Sequence, residues 1–354
     1  MSRAGPTWFL HPGDLDTPTG GYRYDRRIIE HLDRAGRAVR VRRLDDSFPH
    51  PTAAGLQDAD RCLAGIPDES LVVVDGLAFA LMREIAAVHG RRLSLIALVH
   101  HPLALETGLP PQRAAALRAS EADALCWARR VIVTSPETAA LLARDYRVAH
   151  NRLRVVEPGT DTALLSAGSG HSALNLLCVA SLTPRKGHEI LLRALAPLRD
   201  RPWHLSCAGS LERSPGNAAA LLDLSHRLGL AARVTFTGAV DEPRLAQLYH
   251  RADLFVLPTR FEGYGMVLTE ALARGLPIVS TRTGPIPRLV PREAGILVEP
   301  GDPAALRLAL ASVMDDAGLR RRLSAGARSA RRRLRSWETA GTDFLRVLDE
   351  MRHE

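Results

Sequence analysis

The sequence lacks the features that mark a membrane-spanning, secreted or nucleic-acid-binding protein. No run approaches the roughly 18 uncharged apolar residues of a membrane span, and the first residues contain no apolar signal-peptide core. The four cysteines form no CxxC pair, so neither a zinc site nor a disulfide framework is indicated. Aromatic residues are only 5% of the chain, too few for base-stacking platforms. We therefore expect a cytoplasmic protein with no nucleic-acid partner and at most peripheral membrane contact.

The net charge of +8 comes mostly from arginine, and runs at 320–322 and 331–333 favour solvated helix faces. The length of 354 residues predicts about two domains. Apolar strand-like runs alternate with helix-like segments along the whole chain, which predicts an α/β fold with parallel sheets. Twelve strands are predicted, at residues 7–11, 39–42, 71–74, 93–99, 131–134, 153–156, 174–180, 204–208, 234–237, 254–257, 278–281 and 296–298. A small polar stretch at 166–170 has the composition of a linker between two such sets.

The most informative segment is residues 258–270, which read PTRFEGYGMVLTE between a buried strand pattern and a helix pattern. Glu262 and Glu270 are eight positions apart, with Gly263 and Gly265 between them. Glycine lets backbone N–H groups approach a ligand closely, and a helix N-terminus favours an anion. Carboxylates accept hydrogen bonds from hydroxyl groups. The segment therefore suits a ligand with both phosphate and hydroxyl groups, such as a nucleotide-sugar.

Other polar residues also follow predicted strands. Arg185 and Lys186 come just after the strand at 174–180, where two cations can neutralise a diphosphate. Gly20 and Gly21 follow the first strand and allow close backbone approach to a phosphate or sugar, in a loop expected to precede a helix at 23–35. The glycine pair is not a GxGxxG fingerprint, which disfavours a nicotinamide cofactor.

A doubled histidine, His100-His101, ends the strand at 93–99 and would face the ligand edge of a parallel sheet. Glu106 lies in the loop beyond it. Gly209 and Gly238 each come just past a strand, and both are expected to line a base pocket through their backbone.

These elements together resemble the retaining glycosyltransferases of family four, whose signature is E-x7-E. The Phe-Glu-Gly-Tyr-Gly run around Glu262, the Arg-Lys-Gly element, the histidine at the fourth strand's end and the Ser-Trp-Glu at 336–338 fall where that family has them. The segment at 156–161 departs from the family pattern by one residue. The resemblance implies the GT-B fold, in which two Rossmann-like domains face each other across a cleft. It implies an acceptor domain at 1–165, a donor domain at 172–335 and a C-terminal helix at 336–354 that crosses back to the first domain.

The resemblance also implies roles for individual residues. The expected catalytic residues are His100, Arg185, Lys186 and Glu262. The expected donor-binding residues are Gly20, Gly21, Gly209, Gly238, Gly263, Tyr264, Gly265 and Glu270. The acceptor candidates are His101 and Glu106. The doubled histidine leaves a one-residue ambiguity, and His100 is preferred for the donor sugar.

The function implied is transfer of a sugar from a UDP- or GDP-sugar to an acceptor hydroxyl, with retention at the anomeric carbon. No cofactor and no metal are expected, because no carboxylate pair follows a strand; Asp45-Asp46 and Asp315-Asp316 lie in helix or loop patterns. The acceptor stays open among a small metabolite, a glycan and a lipid. Two alternatives stay open as well: a non-hydrolysing nucleotide-sugar epimerase on the same fold, and a non-catalytic nucleotide-sugar-binding protein.

Overall fold

The computed structural model describes residues 5–352, which divide into two compact units. The first unit runs to Gly159 and also includes the chain from Arg335 onward, and the second is Thr160–Leu334. None of the helices within residues 5–352 combines the length and the hydropathy of a membrane-spanning segment.

The first unit is a six-stranded parallel sheet with helices between the strands. Its elements are β1 (Thr7–Pro12), α1 (Gly20–Arg34), β2 (Val39–Leu44), α2 (Ala53–Ala64), β3 (Leu71–Asp75), α3 (Gly76–Phe79), α4 (Arg83–His89), β4 (Ser94–Val99), α5 (Pro111–Leu125), β5 (Arg130–Val133), α6 (Pro136–Asp145) and β6 (Leu153–Val155), with 3-10 turns at Leu103–Leu105 and His150–Arg152. The strand order β2-β1-β3-β4-β5-β6 is of the doubly wound, flavodoxin type. Its order reverses between β1 and β3, so ligand-binding groups are expected at the carboxyl ends of those strands.

The second unit contains another six-stranded parallel sheet. Its elements are β7 (Leu174–Val179), α7 (His188–Leu195), β8 (Trp203–Ala208), α8 (Pro215–Arg227), β9 (Val234–Gly238), α9 (Glu242–Arg251), β10 (Leu254–Leu257), α10 (Met266–Ala273), β11 (Ile278–Thr281), α11 (Ile286–Leu289), β12 (Gly295–Val298), α12 (Pro303–Asp315) and α13 (Ala317–Ala330), with 3-10 turns at Pro184–Lys186, Ala196–Leu198 and Arg331–Arg333. The order β12-β11-β10-β7-β8-β9 is the Rossmann order, and it reverses between β7 and β10.

The strands are continuous apolar runs because helices cover both faces of each sheet. All four residues of β10 are buried, and so are all six residues of β4. The core of the second unit includes Leu177, Phe255 and Ile278, which are fully buried or nearly so. Burial of such side chains stabilises each unit by about 1.5–3 kcal/mol per residue.

The last helix, α14 (Trp337–Glu350), belongs to the first unit and packs on α1. Its N-cap Ser336 accepts a hydrogen bond from the Thr339 N–H at 3.1 Å. The Trp337 ring meets Tyr24 edge-on at 6.1 Å between centroids, and the Arg27 guanidinium lies 5.5 Å from the Trp337 ring centre. The C-terminal helix is therefore anchored by aromatic and cation–π contacts.

The stretch at 166–170, expected as a linker from its composition, is hydrogen-bonded into the second unit. The Ser166 N–H donates to the Arg274 carbonyl at 2.9 Å, and the Ser166 hydroxyl lies 2.8 and 2.6 Å from the carbonyls of His250 and Ala252. The Ser169 N–H donates to Asp253 at 3.1 Å. Small polar residues here satisfy exposed helix-end carbonyls, so the boundary between the units lies earlier, at Gly159 and Thr160.

Candidate functional site

Two loops meet at the carboxyl ends of β7 and β10, where the strand order of the second unit reverses. Arg185 and Lys186 lie in the 3-10 turn after β7, which ends at Gly187 with φ of 74°. A Cβ at Gly187 would collide with the Pro258 carbonyl oxygen, so only glycine lets the two loops approach this closely. The Arg260 N–H donates to the Arg185 carbonyl at 2.8 Å and joins the loops through their backbones.

Three charged side chains come together across these loops. The Lys186 Nζ donates to Glu262 Oε1 at 2.6 Å, and the Arg185 Nη1 lies 3.8 Å from Glu262 Oε2. Arg185 also donates to the Phe261 carbonyl at 2.8 Å. Burial alone would raise the pKa of Glu262, but Lys186 and Arg185 outweigh it and lower that pKa. The cluster is therefore an ionised carboxylate between two cations, with one positive charge in excess.

The second glutamate of the E-x7-E pattern lies on α10 and is held by a tyrosine. Gly265 caps α10 in the left-handed region, with φ of 99°. Glu270 is buried, and the Tyr249 hydroxyl donates to its Oε2 at 3.0 Å. Arg274 covers the Tyr249 ring at 4.2 Å from the ring centre. The helix thus presents a carboxylate whose orientation is set by a buried phenol.

The remaining donor candidates of the second unit lie at the same sheet edge or in the loop after β10. The Gly209 N–H, after β8, donates to the Gly238 carbonyl at 3.0 Å. A Cβ at Gly209 would collide with the Ala180 carbonyl, so this glycine is needed for close packing of the loops after β7 and β8. Gly263 and the buried Tyr264 complete the loop between Glu262 and α10.

In the first unit, the glycine pair lies within a helix instead of a loop. Gly20 and Gly21 are the first residues of α1, and the N-cap Thr19 accepts a hydrogen bond from the Tyr22 N–H at 3.3 Å. The expected helix start at Arg23 was therefore three residues late, because the Thr19 cap overrides the low helix propensity of glycine. A Cβ at Gly21 would lie 3.2 Å from the His100 ring, so this position brings α1 close to the histidine.

His100 follows β4 and contacts two carboxyl groups. Its Nε2 lies 2.9 Å from Asp25 Oδ1 and 3.7 Å from Asp75 Oδ2. Among the residues that the structure describes, these three form the one group whose metal-ligating atoms all lie within 4.8 Å of one another. His101 and Glu106, the acceptor candidates, also come together, with His101 Nε2 and Glu106 Oε2 3.9 Å apart.

Sequence reasoning missed Asp25, Asp75 and Tyr249. Asp75 had a usable signal, since it follows the apolar run of β3 directly and precedes Gly76, the pattern of a strand-end polar residue. Asp25 lies one turn into α1 and Tyr249 lies on α9, where each looks like an ordinary surface residue of an amphipathic helix. The aspartate pairs considered for a metal are ion-paired elsewhere: Asp46 with Arg43, and Asp315 with Arg201.

The comparisons with known proteins agree with the sheet topology and the loop geometry. Residues 173–316 match the family model described as "Glycosyl transferases group 1", and residues 70–164 match that of "Glycosyltransferase Family 4". The chain belongs to the family four, group 1 glycosyltransferases. The resemblance seen in the sequence is confirmed.

Two relatives illustrate the family. The chain is 31% identical over 254 residues to a D-inositol 3-phosphate glycosyltransferase of Salinispora tropica, a match that covers 65% of this chain and 52% of the relative. It is 27% identical over 330 residues to the MMP alpha-(1->4)-mannosyltransferase of Mycolicibacterium hassiacum, covering 86% and 76%. The chain spans about half the length of the D-inositol 3-phosphate glycosyltransferases that it matches.

Solved glycosyltransferase structures share the fold. Sucrose-phosphate synthase from Thermosynechococcus elongatus superposes with a TM-score of 0.80 at 21% identity, covering 98% of this chain and 99% of that one. Anabaena HepE in complex with UDP and glucose superposes with a TM-score of 0.75 at 18% identity, covering 96% and 99%. These likenesses confirm the predicted α/β, GT-B fold class.

Proposed function

We propose that this family four glycosyltransferase moves a sugar from a UDP- or GDP-sugar to an acceptor hydroxyl, with retention at the anomeric carbon and without a metal ion. The observation that carries the proposal is the cluster of Arg185, Lys186 and Glu262 at the point where the Rossmann-order sheet reverses. Such switch points are where open α/β sheets bind their ligands. A site with two cations and one carboxylate suits a ligand with both diphosphate and hydroxyl groups.

The names of similar proteins support the choice of donor and acceptor classes. HepE has been solved with UDP and glucose, which favours a nucleotide-sugar donor. Two relatives are named as an inositol phosphate glycosyltransferase and a mannosyltransferase, which favours an acceptor that is a sugar, a cyclitol or a glycan. Both relatives are transferases by name, so a nucleotide-sugar epimerase is the less favoured reading.

In this proposal the residues of the second unit stabilise the leaving group. Arg185 and Lys186 lie against the diphosphate, where they stabilise the charge that grows as the sugar departs. Glu262 then exchanges part of its ion pairing for hydrogen bonds to the sugar hydroxyls. Glu270, oriented by Tyr249, accepts hydrogen bonds from the ribose hydroxyls. The leaving phosphate takes the acceptor proton, so no protein base is required.

A donor screen tests the proposal. Purified protein is mixed with UDP-glucose, UDP-galactose, UDP-N-acetylglucosamine, GDP-mannose and, as a control, NADH, in buffer with chelator, and its thermal unfolding is recorded. One UDP- or GDP-sugar should raise the unfolding temperature, and NADH should leave it unchanged. No shift with any nucleotide-sugar, or a shift that is seen only when a divalent cation replaces the chelator, would contradict the proposal.

A further inference from the structure

A buried chain of three titratable side chains lies in the first unit, outside the charge cluster described above. Asp25 on α1 and Asp75 at the end of β3 have side chains only 0% and 1% exposed, and His100 after β4 is 19% exposed. The His100 Nε2 is hydrogen-bonded to Asp25 Oδ1 at 2.9 Å. Asp75 Oδ1 accepts a hydrogen bond from the Leu77 N–H at 2.6 Å and so caps α3.

One oxygen in each of the Asp25 and Asp75 carboxyl groups has no hydrogen-bond partner among the described residues. The two atoms are Asp25 Oδ2 and Asp75 Oδ2, and both are buried. The two carboxyl groups lie within hydrogen-bonding reach of each other. A proton held between them satisfies both oxygens at once, and it avoids two adjacent buried negative charges, which are too costly to hold together.

The pKa shifts agree with a shared proton. Burial raises the pKa of Asp25 to about 7. Burial and the charge of Asp25 raise the pKa of Asp75 well above its usual value. Burial lowers the pKa of His100, although Asp75 acts in the opposite direction. Near neutral pH, the proton between the carboxyl groups therefore stays on Asp75, and Asp25 and His100 together exchange one further proton.

Among the described residues, no charged group other than the two carboxyl groups shifts the pKa of the His100 ring. Tyr24 on α1 meets the His100 ring edge-on at 5.2 Å, and burial raises the pKa of its phenol well above the usual value, so Tyr24 is neutral. The Arg335 guanidinium lowers the pKa of Tyr24, but burial outweighs this effect. The Thr134 hydroxyl donates to the His100 carbonyl at 3.5 Å. The His100 Nδ1 has no hydrogen bond to any residue that the structure describes.

We propose that Asp25 and Asp75 are positioning residues that hold His100 with its Nε2 proton on Asp25 and its Nδ1 lone pair available to a substrate hydroxyl. Uptake of one proton by this triad, defined as Asp25, Asp75 and His100, converts Nδ1 from a hydrogen-bond acceptor into a donor. Nδ1 carries a proton in either of the two possible protonated states. In one, a neutral Asp25 donates to Nε2; in the other, Asp25 is ionised and the imidazole ring is doubly protonated. The contact with a substrate hydroxyl rests on the proposed function, whereas the protonation states of the three side chains can be measured in the protein without substrate.

The test is nitrogen-15 NMR of the full-length protein labelled at histidine, with the His100 signals assigned as those that disappear in the His100→Asn variant. In the wild type, Nδ1 should be unprotonated and Nε2 protonated at alkaline pH, and Nδ1 should gain a proton with a midpoint near neutrality. Asp25→Asn, which removes the ionisable partner, should move this midpoint down by more than about one pH unit. Asp75→Asn imitates a protonated carboxyl and should leave the midpoint within about half a unit.

Three results would overturn the proposal. The first is a wild-type Nδ1 that is protonated at alkaline pH, and the second is an Asp25→Asn midpoint equal to that of the wild type. The third is stoichiometric binding of Mn²⁺, seen by electron paramagnetic resonance and lost in Asp25→Asn, which would mean that a cation and not a proton balances the carboxyl groups. With an active donor, kcat/KM should follow the same midpoint and shift with Asp25→Asn. Absence of transferase activity with the predicted tautomer intact would count against the proposed function alone.

Discussion

The Nζ atom of Lys186 lies 2.6 Å from Oε1 of Glu262, although the two residues are 76 positions apart in the chain. The contact joins the loop after β7 to the loop after β10, and the side chains are only 16% and 7% exposed. Two motifs that are separate in the sequence thus form one charge cluster. Because the pair is largely buried, removal of Glu262 leaves two adjacent cations without this carboxylate, whereas removal of Lys186 leaves Glu262 with Arg185 at 3.8 Å.

Replacement of Glu262 by glutamine should separate sugar recognition from nucleotide recognition. The change keeps the size of the side chain and removes the charge, so the two cations stay available to the diphosphate. Loss of a hydrogen bond to a charged group costs about 1.5–3 kcal/mol, which predicts an approximately 10- to 100-fold loss in kcat/KM. Calorimetry should show that UDP or GDP alone binds as tightly as before or more tightly. Weaker binding of the free nucleotide would contradict the assigned role.

Replacement of Lys186 by methionine should lower turnover more than it weakens donor binding. Charge on the diphosphate grows toward the transition state, so a cation placed there contributes mostly to kcat. Steady-state kinetics measure both constants. Arg193→Ala is a matched control, because Arg193 lies on the following helix, is 51% exposed and pairs with Glu189 one turn away. An increase in KM with unchanged kcat in Lys186→Met would argue against contact with the leaving group.

Removal of the Tyr249 hydroxyl should weaken nucleotide binding without unfolding the protein. In Tyr249→Phe the buried ring stays stacked on Phe255 at 6.0 Å between centroids, while Glu270 loses the hydrogen bond from the phenol that orients its Oε2. A hydrogen bond to a charged group is worth about 1.5–3 kcal/mol, so the nucleotide dissociation constant should rise at least several-fold. Tyr146→Phe is the control, since the Tyr146 hydroxyl has no hydrogen-bond partner among the described residues. Equal nucleotide affinities in Tyr249→Phe and Tyr146→Phe would show that the Tyr249 hydroxyl does not contribute to nucleotide binding.

Glu121 should make the protein less stable as the pH rises. Burial raises the pKa of this side chain on α5 to about 8, although the Leu103 N–H that donates to its Oε2 acts in the opposite direction. Because the folded pKa lies above the unfolded one, the stabilising effect is complete below about pH 4.5 and is lost as the pH rises towards about 8, at up to about 1.4 kcal/mol per unit.

Glu121→Gln cannot ionise, so it should unfold at a higher temperature than the wild type near pH 8.5 and at a similar temperature near pH ~5. The control is Glu84→Gln, which alters a carboxylate that is 72% exposed on the neighbouring helix α4. Differential scanning calorimetry at both pH values gives the comparison. A pH dependence that is the same for Glu121→Gln and the wild type would show that Glu121 is not the group responsible.

Much of the fold could be predicted because each strand is a short apolar run between helices. The run at 254–257 is β10 itself, and 71–74 differs from β3 only by Asp75. Each of the other predicted strands also lies within about two residues of an observed one. The strand order could not be predicted in the same way, since periodicity shows that a strand is buried but not which strand lies beside it.

The site was predictable where a motif is local and was missed where it depends on tertiary contacts. Glu262, Lys186 and Arg185 lie in the loops that follow two apolar strands, so the prediction that they belong to one ligand site could be made from the sequence. Asp25 contacts His100 across 75 positions, and helical periodicity alone would place it among ordinary charged helix residues. Its burial depends on β3 and β4 lying beside each other, which the sequence does not show.

The most direct test of the central claim is proton NMR of the reaction itself, in buffer with chelator. The protein is incubated with the donor that gives the largest thermal shift and with D-inositol 3-phosphate or simple sugar phosphates as acceptors. The account predicts release of UDP or GDP and a first-formed glycoside with the same anomeric configuration as the donor. Inverted configuration, or conversion of the donor to an epimer without release of the nucleotide, would contradict it.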